Sequence, residues 1–327
     1  MTIKTNELPF KPEQPAKADI PTLPIDLNEH TITDIVHQCN ARSSDVRLKE
    51  VMASLVQHLH NFAREVKLSE AEWMAALLFL TEVGQICSPV RQEFILLSDI
   101  LGLSALVDSQ AKKVPQGATE PTILGPFQTS DATEINLGES IASEGKGEYM
   151  YVEGTVKGLD GQPIEGALIE TWETDAEGFY DVQYDGRTKA DCRGRIRSGP
   201  GGVYNFRAVR PVPYPIPSDG PVGKLLQRLG RHVFRPAHLH LQITAPGFAP
   251  LTTALYFEGD DFLYSDAVFG VKTSLVLELK QIHDPSRAKE LGFIRNEEPF
   301  WLCHYDLVLP TVQEAEEARQ SQQPQSS

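Results

Sequence analysis

The feature that most limits the fold is a change in the period of the apolar residues near Val114. Before it, Leu48, Met52, Leu55, Leu59, Phe62 and Val66 recur at alternating spacings of four and three, which lays one apolar stripe along a single helix. Ser69-x-x-Glu72 reads as a capping box opening a second helix that stops before Pro89, and a third runs from about Arg91 to Leu101. After Val114, glycine and proline become frequent and two-residue alternation takes over. Strands are predicted over Tyr149–Val156, Ala167–Glu173, Val203–Val209, His238–Thr244, Leu251–Phe257 and Leu302–Leu309. Turn signals such as Asp160-Gly161 and Pro246-Gly247 separate them. Helices followed by short strands predict an α+β chain, with a helical domain over 29–113 and a mostly antiparallel β-sandwich or barrel over 114–310. A proline-rich extended arm at 1–28 and a polar, disordered tail at 311–327 complete the expected organisation.

A formal charge of −15 argues against nucleic acid and anionic membrane as partners, because phosphate binding needs clustered cations. An anionic small substrate stays open, since a pocket can be locally positive inside an acidic protein. Arg187–Arg197 and Arg228–Arg235 are two positive islands, and their plainer reading is solvated surface. The longest apolar run, Trp73–Leu80, is too short to cross a bilayer, and the amino terminus lacks an apolar signal core. Cys39, Cys87, Cys192 and Cys303 are scattered, so reduced thiols in a cytoplasmic protein are expected.

The segment RPAHLHLQI carries the strongest local chemistry. In a strand, side chains at i and i+2 share a face, so His238 and His240 point at one place, a familiar arrangement for holding a metal. Ordinary packing produces the same pattern, and His58-x-His60 shows the contrast, because on a helix such a pair diverges and reads as surface. A zinc hydrolase would add a third histidine, a cysteine or a carboxylate, and a ferrous oxygenase one carboxylate. Neither is spelled out beside the pair. Two tyrosines instead occupy unusual loop settings: Tyr180 just after a turn glycine in TDAEGFYDVQY, and Tyr214 between prolines in RPVPYPIPSDG. A phenol with a pKa near ~10 becomes a ligand only to a strongly acidic metal such as Fe(III). Taken singly, each tyrosine also reads as a buried aromatic with a hydrogen-bonded hydroxyl.

From about residue 29 to 310 the chain resembles the intradiol ring-cleavage dioxygenases, the group of catechol, chlorocatechol and hydroxyquinol 1,2-dioxygenases. The matching stretches are ATEPTILGPF (118–127), GFYDVQ (178–183), PVPYPIPSDGPVGKLL (211–226), GRHVFRPAHLHLQI (230–243), APGFAPLTTALYF (245–257) and SDAVFGVK (265–272). They keep the family's order, including 24 residues from Tyr214 to His238. The resemblance implies one non-haem Fe(III) per subunit held by Tyr180, Tyr214, His238 and His240. It implies that Tyr214 is displaced when substrate binds, that Arg235 stabilises carbanion character on the bound ring, and that O2 then opens it between the two oxygenated carbons. By position, Leu96, Asp99, Ile123, Leu124, Gly125 and Val268 line the pocket. Catechol enzymes commonly carry Gln where this chain has Ala254, and SDAVFGVK looks like the hydroxyquinol and chlorocatechol branch. Asp99 could accept a hydrogen bond from the third hydroxyl of hydroxyquinol, or else cap a helix. The expected reaction is therefore cleavage of hydroxyquinol to 3-hydroxy-cis,cis-muconate in aromatic catabolism, with catechol or chlorocatechol as alternatives.

The helical zone resembles the part through which this family forms homodimers and holds an apolar, lipid-like molecule. From the residues alone, its stripe reads first as plain core. Another H-x-H metalloenzyme and a non-catalytic, transthyretin-like binding sandwich stay open as readings of the residues.

Overall fold

The computed structural model describes residues 22–88 and 91–321, so most of the predicted arm, and Pro89, lie outside the described residues. Five helices come first: α1 (Ile32–Asn40), α2 (Val46–Glu65), α3 (Glu70–Ile86), α4 (Glu93–Ile100) and α5 (Leu103–Ala111). The strands are β1 (Thr133–Glu134), β2 (Tyr149–Gly158), β3 (Leu168–Trp172), β4 (Arg193–Arg197), β5 (Val203–Val209), β6 (Tyr214–Pro215), β7 (Phe234–Arg235), β8 (His238–Thr244), β9 (Leu251–Phe257), β10 (Val276–Leu277), β11 (Lys280–Ile282), β12 (Phe300–His304) and β13 (Leu307–Leu309). Among them lie α6 (Pro221–Arg228) and α7 (Pro285–Glu290), and α8 (Val312–Gln320) follows. Two compact units meet in sequence at Leu80 and Thr81, inside α3.

In the first unit, α2 starts where Asp45 accepts a hydrogen bond from the Leu48 amide, and α3 where Ser69 and Glu72 bond reciprocally as a capping box requires. The stripe does not form core within the chain. Leu48, Leu55, Leu59, Phe62 and Val66 are 49–58% exposed, and Val56 is the buried residue of α2. The reason lies in a different face. Val56, His60 and Arg64 are four apart, and His60 Nδ1 meets Thr33 Oγ1 at 3.0 Å while Arg64 donates to Thr33 Oγ1 and to the Glu29 carbonyl. These polar anchors fix α1 on that face. His58 is exposed, whereas its neighbour His60 is tied down rather than free on the surface.

The second unit holds the strands. One sheet runs β1-β4-β3-β8-β9-β10, and the other runs β11-β12-β2-β13 with β5 also paired to β2. Pairing is mixed: β12 and β13 lie parallel to β2, while β3, β8 and β9 are antiparallel neighbours. Tyr204, Phe206, Val152 and Leu307 from one sheet share a single core with Ile169, Leu239, Leu241 and Leu255 from the other. The two sheets therefore pack face to face as a sandwich. The predicted strand at 302–309 breaks into β12 and β13, between which the Tyr305 amide reaches the Glu153 carbonyl.

The helical zone ends with α5 at Ala111, and within the second unit the Glu93 carboxylate accepts the Val222 amide at the start of α6. Two expectations are corrected. Residues 312–320 of the supposed disordered tail form α8, because Thr311 and Glu314 make a second capping box. The positive islands are not simply solvated: Arg193 and Arg235 are 3% exposed, paired with Asp181 and Asp266. Among the described residues no single helix is long and apolar enough to cross a membrane.

Candidate functional site

Strand β8 does what its alternation predicts. His238 and His240 project from one face with their Nε2 atoms 3.0 Å apart, each 1% exposed. The Pro236 carbonyl accepts a hydrogen bond from His238 Nδ1 at 2.8 Å, so the proton sits there and Nε2 keeps its lone pair. Across the ladder, Trp172 of β3 and Ala254 of β9 are the direct partners of His240. Burial lowers the basicity of both imidazoles, and nearby Arg235 lowers it further. Two neutral rings with converging lone pairs are the form in which histidine binds a cation.

The two tyrosines arrive at the same point from loops. Tyr180 precedes a short helical turn, and its amide donates to Gln183 Oε1. Its ring stacks on Phe127 at 4.4 Å. The next residue, Asp181, is gripped by Arg187 and Arg193, and Arg193 also donates to the Phe127 carbonyl. Tyr214 lies on the two-residue ladder β6–β7, directly opposite Arg235. The Tyr180 hydroxyl is 3.4 Å from the Tyr214 hydroxyl and 3.4 Å from His238 Nε2. Separations of this size suit donors surrounding one ion with bonds of about 2 Å. Burial first, and then Tyr214, push the Tyr180 phenol well above its ordinary range. It ionises only if a strongly acidic cation takes the charge.

Among the described residues, Arg235 is the guanidinium that reaches this cluster. Its Nη1 lies 3.3 Å from the Tyr214 hydroxyl and 3.4 Å from His238 Nε2. Among the described residues, no three His, Cys, Asp or Glu side chains gather to hold a metal, so a third ligand of the zinc-hydrolase or two-His-one-carboxylate kind is missing.

The other predicted residues fall into place unevenly. A Cβ at Gly125, where φ is +74°, would lie 3.6 Å from His240 Nε2, so this backbone backs the imidazole directly. Asp99, in the last turn of α4, is half-buried: burial raises its pKa, and the nearby charge of Arg235 lowers it. It does not start a helix: Gln92 and Gly102 stand at the N-termini of α4 and α5. Val268 is buried, and its amide donates to Asp266. Leu96 and Ile123 are half-buried, and Leu124 is 39% exposed. Sequence reasoning missed Trp172, Phe127, Arg193, Tyr256 and Asp266. Of these, Asp266, Tyr256 and Phe127 lie in the stretches that carry the family resemblance, Trp172 in a predicted strand, and Arg193 in a positive island read first as surface.

The family model described as "Dioxygenase" matches residues 123–309, and "Catechol dioxygenase N terminus" matches residues 45–119. An intradiol ring-cleavage dioxygenase of Aspergillus niger is 50% identical over 305 residues, 93% of this chain and 91% of its own. A hydroxyquinol 1,2-dioxygenase of a Rhizobium species is 49% identical over 81% of this chain and 90% of its own. Among solved structures, hydroxyquinol 1,2-dioxygenase from Pseudomonas putida superposes with a TM-score of 0.81 at 40% identity, covering 86% of this chain and 98% of that one. By class, these matches place the chain among the dioxygenases, oxidoreductases that incorporate O2. The chain belongs to the intradiol ring-cleavage dioxygenase family.

Proposed function

We propose that this enzyme opens hydroxyquinol between its two adjacent oxygenated carbons, adding both atoms of O2 to give 3-hydroxy-cis,cis-muconate, with one non-haem Fe(III) per subunit. The observation that carries the reading is the buried convergence of Tyr180, Tyr214, His238 and His240 beside the Nη1 of Arg235. Two phenolates and two neutral imidazoles fit a hard trivalent ion, since the phenolates offset two of its three positive charges and favour the ferric state. Ferric iron, when bound, supplies the acidic centre that takes the two substrate oxygens and couples the ring to O2.

The chain's own residues supply geometry and proton handling. Tyr180, His238 and His240 hold fixed positions. Tyr214 Oη accepts a substrate proton as it gives way, and Arg235 Nη1 stands beside it to stabilise negative charge spreading onto the ring. Leu96, Ile123, Leu124, Gly125 and Val268 shape the pocket. Asp99 accepts a hydrogen bond from the third hydroxyl, supported by its half-buried place within the field of Arg235. Ala254, directly opposite His240, presents only a methyl group there. Relatives named as hydroxyquinol 1,2-dioxygenases at 44–49% identity support this substrate over catechol.

The half-exposed stripe of α2 supports pairing of two copies through the helical unit, and a lipid-like molecule is the other occupant such a surface suits. Four free thiols support a cytoplasmic setting. Oxygen uptake by iron-loaded enzyme on hydroxyquinol, catechol and 4-chlorocatechol tests the assignment. Hydroxyquinol should turn over fastest, by a wine-red protein. Faster catechol turnover overturns the substrate, and a colourless iron-loaded protein overturns the tyrosinate ligands.

A further inference from the structure

Resting on the ferric ring-cleavage reading, we propose that Asp266 is the positioning residue that aims the Arg235 guanidinium at the ligand cluster. A guanidinium presents a planar fork of donors, and which of them faces the reaction depends on what occupies the others. In Arg235 the Nε–Nη2 edge is taken. Asp266 Oδ1 accepts from Nε at 3.1 Å and Oδ2 from Nη2 at 3.3 Å, while the Tyr256 hydroxyl accepts from Nη2 at 3.2 Å. That leaves Nη1 turned toward Tyr214 and His238.

The clamp is itself fixed. Asp266 receives the amides of Val268 at 3.2 Å and Gly270 at 2.8 Å, and both Arg235 and Asp266 are 3–5% exposed. Gly270 must be glycine for this to close, because a Cβ there would fall 2.7 Å from Arg235 Nη2 and 2.9 Å from the Tyr256 hydroxyl. Tyr256 sits directly opposite His238 in the β8–β9 ladder, so one strand pair carries both a ligand and part of the clamp. Asp266 has no contact with Nη1 or with the four donor atoms. Toward the cluster it acts through Arg235: it removes the rotamer freedom of a long side chain and supplies the counter-charge that lets a buried guanidinium stay in place.

A double-mutant cycle in the iron-loaded enzyme tests this, using Asp266→Asn, Arg235→Met, the pair together, and Tyr256→Phe. The readouts are kcat and KM on hydroxyquinol and the visible tyrosinate-to-iron band. Asp266→Asn should lower kcat about tenfold or more while KM stays within about threefold. It should move the band in the same direction as Arg235→Met, since the donor at the Tyr214 oxygen has swung away. Added to Arg235→Met, it should cost nothing further. Wild-type kcat and band in Asp266→Asn, or losses that multiply in the double variant, overturn the assignment. Should Asp266→Asn fail to fold, Tyr256→Phe decides, with a smaller loss and a band shift supporting the clamp and neither overturning it. A wild type that is coloured but inert on hydroxyquinol overturns the substrate reading alone, and the band shift still judges Asp266.

Discussion

Trp172 lies flat against the imidazole of His240, ring centroids 4.7 Å apart and planes 11° from parallel, and the two are direct partners in the β3–β8 ladder. The indole is 2% exposed and fills the space that would let His240 rotate. Trp172→Ala should destabilise the protein by about 3–5 kcal/mol and speed loss of iron to a chelator, whereas Trp172→Phe should keep most of both. Denaturant unfolding and chelator-release kinetics measure the two effects. Unchanged release in the alanine variant would show that the stack does not orient the ligand.

Tyr214→Phe should lower kcat by about a hundredfold or more, because the hydroxyl that accepts the substrate proton is gone. It should also remove part of the visible absorbance at equal iron content. Full colour and turnover in this variant would take Tyr214 out of the site.

Asp99→Ala should separate the substrates. The loss of one hydrogen bond to a buried hydroxyl, worth about 1–3 kcal/mol, lowers kcat/KM for hydroxyquinol about tenfold and leaves catechol nearly unchanged. Equal losses on both substrates would make Asp99 structural.

Glu173 gives a pH signature independent of the iron chemistry. It is 1% exposed; its Oε1 accepts the Val209 amide, and its Oε2 has no hydrogen-bond partner among the described residues. Burial raises its pKa well above the carboxylic-acid range. A raised folded-state pKa means that the native protein holds a proton the unfolded chain has released. Its contribution is therefore fully present below the unfolded value near ~4.3 and is lost as pH rises toward the folded value. Glu173→Gln removes this dependence. Its stability relative to wild type should grow between pH 5 and 8, by at most about 1.4 kcal/mol per pH unit. A constant difference across that range would refute the buried neutral acid.

The sandwich was legible because its strands alternate cleanly: β5, β8 and β9 fall on their predicted residues. His238 and His240 were legible for the same reason, since strand geometry alone puts them together. Tyr180 and Tyr214 were visible only through resemblance, because long-range pairing rather than local pattern brings the two loops to one point. The clamp on Arg235 depends on Tyr256 and Asp266, 21 and 31 residues further along the chain, and no spacing rule joins them. The α2 stripe misled for a plainer reason: helical periodicity reports that a face is apolar, not whether its own chain covers it. The tail misled because a polar composition outweighed a four-residue capping signal at Thr311.

The two tyrosines differ in what would have to give way to release them. Lifting Tyr180 would part it from Phe127 and pull on Asp181, which two arginines anchor. Lifting Tyr214 bends a two-residue ladder between prolines and parts its hydroxyl from Arg235, with no ion-paired neighbour pulled along. Under the proposed chemistry Tyr214 would move in every turnover while Tyr180, His238 and His240 would keep hold of the ion. The chain puts its loose joint and its fixed post on separate segments, so wear on the first need not loosen the second.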